Sequence, residues 1–301
     1  MNQDNLYKFD FECMDNLEYC KKLKDGSVKL VLTSPPYNIG KIYEDKIDFD
    51  EYINSFEPLV KELVRVLASD GSICWQVGNY INDGEVYPLD IFFYTLFKKY
   101  GLKLRNRIIW RNSGSLQCKK RLTGAYETIM WFTKSDDYIF NLDNIRIPSK
   151  YPGKKKNGKF TNNVKGKNPT DFWEITVEKI KEDWESLVWD IPSIKARHRE
   201  ETFHPCQFPI SLVERCVLAL TNEDDVVFDP YAGVASTIIG AFKNNRIGVG
   251  CELAEAYYVR GMERIVDLCK GNLRTKEIYE KKNEPKETHS VSKIPVLDKE
   301  E

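Results

Sequence analysis

The chain has 301 residues, 42% of them apolar, which is enough to bury the core of one large domain or of a domain with an insertion. Basic and acidic residues nearly cancel, 45 against 46, for a formal net charge of -1; this excludes a protein that coats nucleic acid by overall charge but leaves room for a locally basic groove. The eight cysteines, Cys13, Cys20, Cys74, Cys118, Cys206, Cys216, Cys251 and Cys269, show no C-x-x-C spacing, and with three histidines they argue against a structural zinc site.

Residues 6–12 read as a strand and 15–23 as a helix. Residues 28–33 form an apolar, β-branched run of the kind buried on both faces of a parallel sheet, and it stops abruptly at Ser34-Pro35-Pro36-Tyr37. Asp50 is placed to cap a helix through Leu67 that Pro58 bends or splits, and Gly71 ends that segment. A buried strand is expected over 72–77, a helix over 87–100, and strands over 104–111 and 127–134. Residues 150–167 carry seven lysines with Gly153, Gly158 and Gly166 and have no apolar period, so they read as a loop or irregular insertion. The α/β texture returns with a helix at 210–220, a strand at 226–228, a helix at 236–244, a strand at 246–251 and a helix at 254–270. The Lys- and Glu-rich residues beyond Gly271 read as a disordered tail.

Alternating strands and helices predict a mostly parallel sheet covered on both faces, with its ligand crevice at the carboxyl ends of the strands. Two loops fall there. In the first, Val226-Val227-Phe228 runs into Asp229-Pro230-Tyr231-Ala232-Gly233 and on to Ser236 and Thr237: an acidic, small-residue turn between a buried strand and a helix. It lacks both G-x-x-x-x-G-K-[ST] and G-x-G-x-x-G, so it is not a phosphate cradle. Its acidity suits a cationic ligand such as the sulfonium and amino groups of S-adenosyl-L-methionine, and Glu252, 23 residues on, is placed to accept hydrogen bonds from a ribose. The second loop is Ser34-Pro35-Pro36-Tyr37. Two prolines withhold their donors and leave rigid carbonyl acceptors, and an aromatic ring follows. Such a corner can stack a planar base on Tyr37 while the Pro35 carbonyl and the Ser34 hydroxyl accept from its amino group. Acceptors set off the ring plane favour a pyramidal nitrogen, whose lone pair can then attack a methyl group in line.

Together the two loops resemble the amino-group DNA methyltransferases (cytosine-N4 and adenine-N6) of restriction–modification systems. Residues 33–38 resemble the catalytic motif (D/N/S)-P-P-(Y/F), and residues 229–237 the cofactor motif D-P-F-x-G-x-G-T-T, with Tyr231 for Phe and Ala235 for the second Gly. The catalytic motif comes first, as in the permuted β group of the family. Residues 14–18 resemble a G-D-C-L-E segment whose acid, here Asp15, lies near the cofactor adenine; residues 188–192 and His204, Pro205 and Phe208 resemble the segments around the methionine moiety. The resemblance implies a Rossmann-like S-adenosylmethionine-dependent methyltransferase fold, a seven-stranded mostly parallel α/β sheet with one antiparallel strand and an inserted target-recognition region. It implies a catalytic half over 1–140, the recognition insertion over 141–190, a cofactor half over 191–270 and a tail over 271–301. The expected catalytic residues are Ser34, Pro35, Pro36 and Tyr37. The expected cofactor residues are Asp15, Asp229, Pro230, Tyr231, Ala232, Gly233, Ser236, Thr237, Glu252, His204, Pro205 and Phe208. Duplex DNA is the expected substrate, held through Lys154, Lys155, Lys156, Lys159, Lys165 and Lys167, with Asn162, Asn163 and Asn168 as candidate base readers and Arg197, His198 and Arg199 as a second basic cluster. A flipped target base and a cognate restriction endonuclease are implied with it. Ser34 at the head of the motif favours cytosine N4 over adenine N6. Reduced thiols, the absence of a signal-like N-terminus and the absence of a long apolar run point to a cytoplasmic protein without a membrane span.

Overall fold

The computed structural model describes residues 9–38, 46–111, 118–173, 200–204, 206–273 and 275. Twelve strands and seven helices alternate along these residues. They are β1 (Phe9–Cys13), α1 (Asn16–Lys22), β2 (Val28–Thr33), α2 (Phe49–Ser55), α3 (Glu57–Val66), β3 (Leu67–Val77), β4 (Asn79–Asn82), β5 (Glu85–Pro88), α4 (Leu89–Lys99), β6 (Lys103–Arg111) and β7 (Tyr126–Thr133). After them come β8 (Lys155–Lys156), β9 (Lys159–Phe160), β10 (Phe172–Trp173), α5 (Ile210–Leu220), β11 (Val226–Asp229), α6 (Ser236–Lys243), β12 (Ile247–Glu252) and α7 (Glu255–Cys269).

The main sheet runs β1-β12-β11-β2-β3-β7-β6-β10, and β7 alone is antiparallel to its neighbours. It has eight strands rather than the expected seven, because the short β10 adds to the free edge of β6, pairing Phe172 with Ile109 and Trp173 with Trp110. Side chains alternate across the sheet. Val31, Phe228, Ile73, Trp75, Met130 and Phe132 face one core with α1, α2, α3 and α4, whereas Leu32, Val227, Cys74, Ile129 and Trp131 face a second core with α5. Both faces are dry, which is why these strands read as unbroken apolar runs; each fully buried large side chain contributes about 1.5–3 kcal/mol. A third cluster joins Phe11 of β1 to Ile238 of α6 and Ile265 of α7. Gly248 admits α6 to the sheet: a Cβ there would meet the Ile238 backbone oxygen at 2.7 Å. No helix among the described residues is long and apolar enough to cross a membrane.

Several boundaries differ from the sequence reading. Asp48, not Asp50, caps α2, accepting from the backbone N–H groups of Asp50 and Glu51. The break before α3 falls at Phe56, and Pro58 sits in the first turn of α3, where its missing N–H is not needed. Gly71 does not end a segment but lies inside β3, where a Cβ would meet the Lys29 carbonyl oxygen of β2 at 3.0 Å. The expected helix from Tyr87 starts two residues later, because Tyr87 belongs to the β4–β5 hairpin, turned by Asp83 and Gly84 at positive φ. The lysine-rich stretch is not wholly irregular: Lys155–Lys156 pairs with Lys159–Phe160 across Asn157 and Gly158, both left-handed. Four of the cysteines, Cys20, Cys74, Cys216 and Cys251, are buried as free thiols, and Cys13, Cys206 and Cys269 are exposed ones. Residues 1–8, 174–199 and 276–301 lie outside the described residues, and with them the last part (174–190) of the expected recognition insertion, the 188–192 segment, the Arg197–Arg199 cluster and most of the tail.

Candidate active site

The parallel strands β1, β12, β11 and β2 end at one rim, and their following loops enclose a cavity of about 440 Å³. Fourteen of the sixteen expected catalytic and cofactor residues line it: Asp15, Ser34, Pro35, Pro36, Tyr37, His204, Phe208, Asp229, Pro230, Tyr231, Ala232, Gly233, Ser236 and Glu252. The two loops are therefore neighbours in space although 196 residues separate Thr33 from Asp229, and a 2.6 Å hydrogen bond from the Thr33 hydroxyl to Asp229 Oδ1 joins them directly. Thr237 is the exception. It is fully buried behind the cavity wall, hydrogen-bonded to Asp229 and to the Leu32 carbonyl, so it braces the loop instead of lining the cavity. Pro205 lies outside the described residues.

The acidic side of the cavity is tightly fixed. Asp229 Oδ1 also accepts from the Tyr231 backbone N–H at 3.0 Å, and burial pushes the Asp229 carboxyl up to about 6 despite these donors. Glu252 accepts from the backbone N–H groups of Gly233 and Ala254, each at 2.9 Å, and burial raises its carboxyl above the usual range. Asp15 caps α1 through Oδ1. Gly233 has φ +52°, and a Cβ there would stand 2.9 Å from His204 Nε2, so the glycine loop and the histidine close on each other over the cavity. Burial and the charge of Arg264 press His204 down to about 4, leaving a neutral imidazole at pH 7, edge-on to Tyr257 at 4.5 Å. Ala235, in place of a glycine, is held at φ 63°, a left-handed conformation that costs an L-residue about 1–2 kcal/mol. Three acids and no lysine or arginine line the cavity, a donor set that fits the cationic S-adenosyl-L-methionine and not a polyphosphate.

The Ser34–Tyr37 turn is held from behind. The Tyr52 hydroxyl donates to the Pro36 carbonyl oxygen at 2.7 Å, while among the described residues no donor occupies the Pro35 carbonyl. Ser34 Oγ and the Tyr37 hydroxyl lie 3.1 Å apart. The Tyr37 ring packs on Gly78, whose Cβ would meet ring carbon Cε2 at 3.2 Å, beside Glu127, which is itself hydrogen-bonded by Gln76. Burial and the Glu127 carboxylate hold the Tyr37 phenol well above its ordinary range, so it is neutral. Tyr52→Phe removes one hydrogen bond without changing the fold; with about 1 kcal/mol at stake, methyl transfer in single-turnover assays should fall roughly fivefold with donor affinity unchanged.

Several contributors escaped sequence reasoning. Asn16, Cys206, Gln207, Leu253 and Tyr257 also line the cavity. Asn16 and Cys206 sit inside quoted motif segments and could have been named from them; Leu253 and Tyr257 carry no such signal. Arg264 of α7 is buried and donates to the Val234 carbonyl and, at 3.1 Å, to Ser236 Oγ, locking the loop from its outer side. A lone arginine in an amphipathic helix does not announce that role.

The six expected DNA-binding lysines do not reach the cavity. β7 ends at the opposite rim, where Ile139 N–H bonds the Asp70 carbonyl and Asn141 N–H bonds the Ala219 carbonyl, and the lysine-rich stretch leaves from there. All six are exposed. Lys165 is ion-paired to Asp143 at 2.6 Å, and Lys154 and Lys155 lie over the Tyr151 and Phe160 rings. Asn162 donates to the Tyr151 carbonyl and Asn163 accepts from the Lys165 N–H, so both side chains serve the loop itself.

A family profile described as DNA methylase matches residues 28–263. The type II methyltransferase M.BglII of Bacillus subtilis is 39% identical over 249 residues, covering 81% of this chain and 65% of that protein, so the chain spans slightly less than two thirds of that relative. The DNA adenine methyltransferase YhdJ of Escherichia coli is 31% identical over 258 residues, covering 83% and 80%. Among solved structures, the PvuII DNA methyltransferase (cytosine-N4-specific) superposes with a TM-score of 0.64 at 19% identity, covering 89% of this chain and 94% of that one. The Thermus thermophilus DNA modification methylase TTHA0409, solved with S-adenosyl-L-methionine, gives 0.60 at 23% identity, covering 86% and 93%. Both share the fold.

Proposed function

The chain belongs to the N6/N4 DNA methylase family, and from that premise we propose that it transfers a methyl group from S-adenosyl-L-methionine to the N4 amino group of a cytosine turned out of duplex DNA. The observation that carries the reading is the junction of the two loops: a serine-headed proline corner opens into the same cavity as an acidic, cation-suited turn. S-adenosyl-L-methionine, when bound, supplies an electrophilic methyl group. The protein's own part is positional. Tyr37 stacks the base; Ser34 Oγ and the Pro35 carbonyl oxygen accept the amino N–H bonds and turn the nitrogen lone pair toward the methyl carbon; Asp229 and Glu252 hold the donor. The new N–C bond forms as the S–C bond breaks, and the surplus proton on nitrogen leaves through the Ser34 hydroxyl to water. Burial in the cavity excludes water from the methyl carbon.

Ser34 favours cytosine because a neutral hydroxyl stands where adenine enzymes of the family usually carry a carboxylate. The sequence likeness to an adenine methyltransferase of E. coli supports the alternative, transfer to adenine N6. In this reading residues 141–190 form the target-recognition insertion between the catalytic and cofactor halves, and the lysines at 154–167 hold the DNA backbone away from the cavity. The type II names of the relatives support a place in a restriction–modification system, opposite an endonuclease of the same specificity. Expression in a host that lacks modification, followed by single-molecule sequencing and nucleoside mass spectrometry, is expected to reveal N4-methylcytosine in one short sequence context. N6-methyladenine there would reverse the base assignment, and unmodified DNA would refute the function.

A further inference from the structure

A second group of basic residues, outside the lysine-rich stretch, lies on the connection between β6 and β7. Because β7 is antiparallel to β3 and β6, it begins at the rim at which β2 delivers the Ser34–Tyr37 corner, and residues 118–125 lead into it there. The register fixes its depth: Val77 of β3 pairs with Thr128, one residue from Glu127, whose side chain lies with Tyr37 against Gly78. The described part of this connection is closed into a tight turn by the Thr123 hydroxyl, which accepts from the Cys118 N–H at 3.2 Å. Lys119, Lys120, Arg121 and Leu122 project from it. All three cations are exposed and form no ion pair among the described residues, in contrast to Lys165, which is neutralised by Asp143. Leu122 is 94% exposed, more than any other large apolar side chain described. A folded protein gains nothing from a leucine held in water at the tip of a cationic turn, and the position makes sense against a surface that is anionic outside and apolar within. A DNA duplex is such a surface, with phosphates at its edge and stacked bases between them.

Resting on the function proposed above, we infer that the 118–123 turn is a second DNA contact: Lys119, Lys120 and Arg121 grip phosphates next to the target nucleotide, and Leu122 enters the base stack as the target leaves it. This divides the work between two basic elements. The lysine-rich stretch, which leaves β7 at the far rim and returns to the sheet at β10 beside β6, holds the flanking duplex, while the 118–123 turn acts where the duplex opens beside Tyr37.

The test uses the full chain, the triple variant Lys119→Ala/Lys120→Ala/Arg121→Ala, and Leu122→Ala. Duplex binding is followed by fluorescence anisotropy between about 50 and 200 mM salt. Single-turnover methyl transfer is measured on a paired target and on one whose target base faces a mismatch. The triple variant should lower the log–log salt slope by roughly 2.7, the counterions of three phosphate contacts. Leu122→Ala should keep the wild-type slope, lose about tenfold in rate on the paired target, and recover on the mismatched one, where opening the pair costs little. Unchanged binding of S-adenosyl-L-methionine by calorimetry certifies the fold of both variants. A wild-type slope in the triple variant, or a paired-to-mismatched ratio that Leu122→Ala leaves unaltered, overturns the inference while the wild-type enzyme still methylates DNA. A wild-type protein that methylates no DNA overturns the reading beneath it and this one together.

Discussion

Tyr37→Ala and Ser34→Ala are expected to remove most methyl transfer while the protein stays folded and keeps its affinity for S-adenosyl-L-methionine. The two side chains sit on the proline-corner side of the cavity, 3.1 Å from each other, and neither supports the acidic turn, whose own bonds run through Thr33, Tyr231 and Thr237. Tyr37→Ala removes a stacking surface with about 1–3 kcal/mol at stake and lets the base drift from the line of attack, so kcat should fall roughly 10²-fold or more. Ser34→Ala takes away one of two acceptors on the amino group, and a loss of about 10²-fold is expected from an interaction made chiefly at the transition state. Single-turnover transfer of a labelled methyl group gives the rates, and calorimetry gives the donor affinity. A parallel fall in donor affinity would show that the corner belongs to the donor pocket and not to the base.

Asp229→Ala and Glu252→Ala should show the opposite pattern. Each carboxylate faces the cavity, and loss of one charged partner is worth about 1.5–3 kcal/mol, or about 10- to 150-fold in Kd. Asp229 adds a pH signature. Its carboxyl is raised from 3.8 to about 6 by burial, so it gains its proton, and loses its attraction for a cation, as pH falls through about 6, where an ordinary aspartate is still ionised. Donor affinity should therefore weaken between pH 7 and 5 in the wild type, and Asp229→Asn, already weak, should show a flatter profile. Without donor the sign reverses for stability: the folded chain binds the proton more tightly than the unfolded one, so this group's contribution falls as pH rises from about 4 through 6. Titration calorimetry and thermal melts across that range read the two trends separately.

How much of this was legible depended on how local each determinant is. Residues 28–33 and 210–220 were placed to the residue, because an unbroken apolar run and an amphipathic period are properties of neighbouring positions. The loops were legible as chemistry for the same reason: two prolines and a tyrosine in series, or an acid followed by small residues, dictate local backbone. The Asn82-Asp83-Gly84-Glu85 turn was also written in the sequence and was overlooked in favour of the helix that follows it. What lay out of reach came from partners far along the chain. Nothing near Tyr52 says that its hydroxyl will reach Pro36, nothing near Arg264 points to Val234, and Thr237 looks like a lining residue until the first turn of α6 directs it toward Asp229. The tenancy of Lys119–Leu122 at the catalytic rim likewise depends on the direction of β7, which a strand pattern does not reveal.

The seam between β2 and β11 has a consequence for synthesis. It rests on the paired residues Val227 with Leu30 and Phe228 with Val31, closed at its end by the Thr33–Asp229 hydrogen bond. On a ribosome, which works from the amino end, the Ser34–Tyr37 corner emerges early and waits for nearly two hundred further residues before the acidic turn beside it is made. A prematurely terminated copy thus carries the proline corner without the acidic turn it is bonded to, and the cavity between them cannot form.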